Sequence, residues 1–199
     1  MDQGFRLREA TIQDLDILTD VHTRSRAAYY IAGGMPEQEL TDPATWAQRR
    51  DAWARALAMP TRTTLCAEDP GGGVVGLLTA GPPHHEDLDV ATHYELYQVG
   101  VLPNAWGHGV GGALHREFIV RAAAAGCTEG VLECWASNTR AQRFYARYGW
   151  QPDGERRPGP MDSDYIRMRL KIDPSQPPAE PSAEQPPAAP ARRCTGPGR

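Results

Sequence analysis

The chain has 199 residues, enough for one ordinary domain and too few for two generous ones. A formal net charge of −4 gives no reason to expect nucleic acid as a partner, and no run approaches the ~18 consecutive apolar residues of a membrane helix. The opening 1-MDQGFRLREATI-12 lacks the apolar run of a signal peptide, and Cys66, Cys127, Cys134 and Cys194 are scattered without a C-x-x-C, a pattern that fits a reduced, cytoplasmic protein.

Phe5 to Glu9 alternates as a short strand. Thr11 is placed to cap the next helix, with Asp14 three residues on as its capping-box partner. Ile12, Leu15, Ile17, Leu18 and Val21 supply the apolar side of that helix, which carries to about Tyr30 before Gly33-Gly34 breaks it. Asp42-Pro43 is a cap followed by proline at the first helical position, and the helix it starts stops at Pro60. The runs 63-TTLCAE-68 and 74-VVGLLTA-80 flank the turn 69-DPGGG-73 and read as a hairpin. A polar loop, 81-GPPHHEDLDVAT-92, leads to the strand 94-YELYQVGVL-102.

Four glycines then fall within six positions, Gly107, Gly109, Gly111 and Gly112. Val110, Leu114, Phe118 and Ala122 recur every four residues behind them, as one face of a helix ending at Gly126. A strand over 128-TEGVLECWA-136, a helix over 138-NTRAQRFYARY-148 and a last strand over 163-SDYIRMRLKI-172 follow. Strands and helices alternate unevenly, which implies a mixed sheet with helices packed on it. From Asp173 to Arg199 there are eight prolines and no aliphatic side chain larger than alanine, so the folded unit is expected over residues 4–172 and a disordered tail over 173–199.

Glycines entering a helix N-terminus suit an anion, because first-turn N–H groups are unpaired and the helix dipole favours negative charge there. A loop that needs positive φ is the plainer reading. A Walker loop is excluded, since Gly112 is followed by Ala113-Leu114 rather than Lys-Ser/Thr. Gly107-x-Gly109-x-x-Gly112 does match the dinucleotide fingerprint, and Glu133 lies 21 residues beyond Gly112, where a ribose-binding acid is expected. Against that reading, Pro103 to Trp106 separates strand from glycines, and only about 40 residues remain before the tail to finish a doubly wound sheet.

The stretch 95-ELYQVGVLPNAWGHGVGGALH-115 resembles the fourth strand, pyrophosphate loop and following helix of the GNAT superfamily of N-acetyltransferases. The stretch 138-NTRAQRFYARYGW-150 is similar to that family's other signature, Asn-x-x-Ala-x-x-Phe-Tyr-x-x-x-Gly-aromatic. The resemblance implies an α/β fold with a mixed, mostly antiparallel central sheet flanked by helices and splayed between its fourth and fifth strands. It implies an N-acetyltransferase that moves an acetyl group directly from acetyl-CoA to a primary amine of a small molecule or peptide N-terminus, in a ternary complex and without a metal. Backbone groups around Val99 and Val101 would pair with the pantetheine arm, and Gly107, His108, Gly109, Val110, Gly111 and Gly112 would hold the pyrophosphate. Gly100 suits close backbone approach on that strand. The family's loop usually carries Gln or Arg where this chain has Trp106. A non-catalytic acetyl-CoA sensor or scaffold is the alternative from another class.

By the same resemblance Tyr145 is the general acid; seen alone it is a core aromatic. Asn138 reads both as a contact to CoA and as the cap of its helix. Glu95 is the first candidate for general base, because a carboxylate on a mostly apolar strand is costly without a task or partner; a solvated place at the strand's start is the other reading. Glu133 is the second candidate. His84-His85-Glu86-Asp87 does not read as a metal site, since adjacent loop residues seldom converge. Glu86, Asp87 and Asp89 would instead draw a cationic acceptor, and Tyr29, Tyr30, Trp46 and Trp53 could line its pocket or belong to the core.

Overall fold

The structure is a computed structural model that describes residues 4–175; the expected tail, from position 176 onward, lies outside the described residues. Strand β1 (Arg6–Glu9) leads through Thr11, whose side chain and the Asp14 carboxylate complete the expected capping box, into a short 3-10 turn and helix α1 (Leu15–Ala32). A five-residue helix α2 (Glu37–Thr41) precedes α3 (Pro43–Ala58), which Asp42 caps through the Ala44 and Thr45 N–H groups. The hairpin β2 (Thr63–Glu68) and β3 (Val74–Gly81) follows, then β4 (His93–Val101), α4 (Val110–Ala124), β5 (Glu129–Trp135) and α5 (Thr139–Arg147). Strands β6 (Gln151–Arg157) and β7 (Tyr165–Lys171) close the fold.

The seven strands form one sheet in the order β1-β2-β3-β4-β5-β7-β6. Every neighbouring pair is antiparallel except β4 and β5, which run parallel. That pairing spans only His93–Leu96 against Glu129–Leu132. Beyond Leu96 the two strands part, and the C-terminal half of β4 keeps β3 on one edge and leaves the other open. This is the expected splay, and the antiparallel neighbours exclude the doubly wound parallel sheet of the dinucleotide reading.

Side chains alternate across the sheet, and two cores form. On one face Leu15, Leu18 and Val21 of α1 and Trp53 of α3 pack on Cys66 and Leu77. On the other, Leu114, Phe118 and Ala122 of α4 pack on Leu65, Leu78, Leu96 and Leu132, with Trp150 against them. The four-residue apolar spacing of α4 thus buries the stripe it marks, and truncating fully buried Phe118 to alanine would cost about 3–5 kcal/mol.

The one strand absent from the sequence expectation is β6. It is exposed at all seven positions, so its sequence QPDGERR has no apolar alternation to announce it.

Candidate active site

Gly109, the N-cap of helix α4, holds φ +84 in the left-handed region, and Gly107 sits at φ +81 two residues earlier. A Cβ at either would add about 1–2 kcal/mol of strain, so the loop between β4 and α4 depends on these two glycines. No side chain caps α4, and its first-turn N–H groups and positive dipole end face outward as anion donors. Gly100 has a different reason: a Cβ there would stand 2.6 Å from the Ser25 Oγ of α1.

This loop, the open edge of β4 and one side of α5 enclose a cleft of about 550 Å³. Val99, Val101, Gly107, Gly109, Val110, Gly111, Gly112 and Asn138 all line it. His108 stands exposed and is not among the lining residues. The Val101 carbonyl already accepts a hydrogen bond from the Trp106 indole Nε1 at 2.8 Å. Asn138 caps α5, its Oδ1 accepting from the Ala141 N–H at 3.1 Å, and lies on the cleft wall as well.

Trp106 draws in a residue that sequence reasoning missed. The Arg140 guanidinium lies 3.9 Å over the Trp106 ring, and both line the cleft. A cation from the first turn of α5 thereby stands where the loop's own sequence lacks one. Its signal was present, two positions after Asn138, but only the fold brings it to the loop.

A second cavity, of about 500 Å³, opens beside the first between α1, α3 and the middle of the sheet. Tyr29, Val99, Ala141 and Tyr145 line both. Tyr145 is 7% exposed, with Phe144 and Trp150 edge-on to its ring at 5.4 and 5.9 Å. Burial pushes its phenol well above the ordinary tyrosine range.

Glu95 is 2% exposed, which removes the solvated alternative. Its Oε2 accepts from the His84 backbone N–H at 2.9 Å and lies 2.7 Å from His84 Nδ1, while the His84 side chain is half exposed. A buried carboxylate in the second cavity is therefore wired to solvent through one imidazole. Glu133 lines the same cavity, but Arg157 holds its Oε2 at 2.6 Å through Nε, and the carboxylate in turn raises the guanidinium pKa. A carboxylate engaged in this way is a poorer base than Glu95.

Several expectations are corrected. The adjacent histidines do converge: ligand atoms of His84, His85 and Glu95 lie within 4.8 Å of one another, because β4 presents Glu95 beneath the loop. Three such ligands are what a catalytic zinc takes, but His84 Nδ1 here is already at hydrogen-bond distance from Glu95. Glu86, Asp87 and Asp89 do not line the second cavity. Asp87 takes both its oxygens to Arg167, at 3.0 and 2.8 Å, and Asp89 accepts from the Ala91 N–H. Tyr30 is fully buried with Trp135 and Leu40, so it is core. Trp53 is core and cavity wall at once, while Trp46 lines neither cavity.

Comparison with known proteins agrees with this geometry. The sequence model of the acetyltransferase (GNAT) family matches residues 22–150. An uncharacterized N-acetyltransferase of Mycobacterium tuberculosis is 34% identical over 122 residues, 59% of this chain and 72% of that protein. Among solved structures, the PaiA N-acetyltransferase of Thermoplasma acidophilum in complex with coenzyme A superposes with a TM-score of 0.67 at 21% identity, over 84% of this chain and 99% of the other. The ribosomal-protein-S18-alanine N-acetyltransferase of Escherichia coli does so with a TM-score of 0.63 at 18% identity, over 84% and 94%. This chain belongs to the GNAT family of acetyltransferases.

Proposed function

We propose that the protein moves an acetyl group from acetyl-CoA directly to a primary amine, with both substrates bound at once. The observation that supports this most is the pair of cavities sharing Tyr29, Val99, Ala141 and Tyr145 as a common wall. One has the anion-binding helix end that a pyrophosphate needs, and the other has a buried carboxylate.

On this reading the loop amides and Arg140 hold the pyrophosphate, and the open edge of β4 near Val99 and Val101 receives the pantetheine. An alkyl ammonium of pKa ~10.4 is only about one part in 10³ neutral at pH 7, a deficit of roughly 4–5 kcal/mol. Glu95 receives that proton and passes it through His84 to water. The leaving thiolate, of ordinary pKa ~8.5, meets the Tyr145 hydroxyl. Burial makes that phenol a still weaker acid, so its task is to donate a hydrogen bond to the sulfur as the C–S bond breaks, while the proton lost from the attacking nitrogen on amide formation ends on the thiolate. Glu133, committed to Arg157, is left out of the proton path.

The test is thiol release from acetyl-CoA across a panel of primary amines, with acetylated products identified by mass. Amine-dependent release with a matching N-acetyl product is the expected result. Tight acetyl-CoA binding with no release on any amine would favour the non-catalytic sensor instead.

A further inference from the structure

Positive charge is concentrated in the second cavity. Four guanidiniums, of Arg26, Arg49, Arg62 and Arg157, line it against the two carboxylates of Glu95 and Glu133. Arg157 is taken by Glu133 and Glu95 faces His84. Arg26 and Arg49 have no carboxylate partner among the described residues. Among the described residues, Arg26 lies over the Tyr30 ring at 4.5 Å, and Arg49 donates to the Thr23 hydroxyl and the Leu40 carbonyl, each at 3.3 Å.

Both side chains are half-buried, and placing two such cations together costs free energy unless something answers them. The two arginines differ in their electrostatics, and the cost falls on Arg49. Burial works against the Arg26 charge, but the phenols of Tyr29, Tyr30 and Tyr165, the last also hydrogen-bonded to it, outweigh burial and raise its pKa. Burial and then Arg26 pull Arg49 below the ordinary guanidinium range. Burial, then Arg26 and Arg49, push His22 down to about 3, so the imidazole beside them stays neutral and adds no charge of its own. The local field is therefore positive and open to a ligand.

We propose that the acceptor is an amine that carries an oxyanionic acid, a carboxylate or a phosphorus acid, and that Arg26 and Arg49 bind this acid and set acceptor specificity. The inference rests on the transferase reading above and names the substrate class of the same site. A guanidinium presents a planar fork that matches an oxyanion. Two forks on α1 and α3 would anchor the acid in the cavity that Glu95 and Tyr145 also line. The same field disfavours an ammonium, which eases loss of the amine's proton, and it rejects polycationic acceptors. This reverses what the acidic loop suggested from sequence.

The experiment pairs each acid-bearing amine with its neutral analogue: amino acids against their carboxamides, and aminoalkyl phosphonates against their esters. Amine-dependent thiol release is measured for both members of each pair. The expected result is a kcat/KM at least about 10-fold higher for the acid member, with the preferred acid, carboxylate or phosphonate, separated by the two series. Arg26→Gln and Arg49→Gln should each raise KM for the acid about 10- to 100-fold and reduce the preference, while thermal stabilisation by acetyl-CoA is kept as proof of folding. Neutral members used equally well or better would overturn the acid assignment and leave the transferase reading intact. A second measurement is independent of turnover: with CoA present, N-acetyl amino acids and N-acetyl aminophosphonates should stabilise the wild-type protein more than their neutral analogues do. Equal stabilisation by both would overturn the proposal even if no amine in the panel is acetylated. Loss of stabilisation by acetyl-CoA itself would instead count against the transferase reading.

Discussion

Replacing Tyr145 by phenylalanine removes one oxygen from the wall shared by the two cavities. The ring is 7% exposed and packs edge-on to Phe144 and Trp150, contacts that phenylalanine keeps, so the fold should survive. The magnitude follows from which role the oxygen plays. A phenol of ordinary pKa ~10 is already about 2 kcal/mol too weak to protonate a thiolate of pKa ~8.5, and burial weakens it further. What the oxygen can supply is a hydrogen bond to a charged acceptor, about 1.5–3 kcal/mol, so kcat should fall roughly 10- to 150-fold. The KM for acetyl-CoA should move little, because the hydrogen bond strengthens only as the thiolate forms. Steady-state thiol release with purified wild type and Tyr145→Phe decides it. A variant that turns over like wild type would refute the role. A loss beyond about 10⁴ with acetyl-CoA binding intact would show that Tyr145 does more than hydrogen-bond the leaving group.

Glu95→Gln should lower kcat/KM at pH 7 about 100-fold, and the gap should narrow as pH rises toward the amine's own pKa; a pH-independent gap would remove Glu95 from the proton path. Arg140→Ala should raise KM for acetyl-CoA about 10-fold at low salt with kcat unchanged, and the effect should shrink at 1 M salt; equal KM values at both would mean the stacked guanidinium does not reach the phosphates. The Arg8 guanidinium, hydrogen-bonded to Asp14 at 2.7 and 2.9 Å, holds that carboxyl down to about 2. Because the folded pKa lies below the unfolded one, the stabilisation is present above about pH 4 and is lost as pH falls through 2. Asp14→Asn should therefore cost about 1–2 kcal/mol in urea at pH 7, after solvent screening, and almost nothing at pH 2; a cost that does not change with pH would show that the charge is not its source.

The glycine-loop side of the site was legible in the sequence because its signals are local. Gly107 and Gly109 carry the positive φ values of one turn, and Asn138, Phe144 and Tyr145 share the helix α5 or its cap. The second cavity was not legible. Arg26, Arg49, Glu95 and Glu133 come from four elements and meet only when α1 and α3 pack beside the splayed strands. Charge alone misled in the loop after β3, where Asp87 is consumed by Arg167, a β7 residue 80 positions away. Glu95 was singled out as a carboxylate on an apolar strand, and it is buried there, but its partner His84 could not be read, since pairing a loop residue with the strand beneath it depends on how Gly81 and Glu95 come into register. Strand β6 escaped for the opposite reason: with nothing buried, it takes its place from pairing with β7 rather than from any pattern of its own.

The most direct test of the central claim is thermal unfolding with acetyl-CoA, CoA or NADPH at matched excess. A ligand at about 100 times its Kd adds about 2.7 kcal/mol to native stability, a rise of several degrees for a domain of this size. Stabilisation by acetyl-CoA and CoA but not by NADPH is the predicted result, and it should disappear when Gly109 is replaced by valine in protein that still folds. Stabilisation by NADPH alone, or by none of the three, would contradict the assignment of the glycine loop to a CoA pyrophosphate.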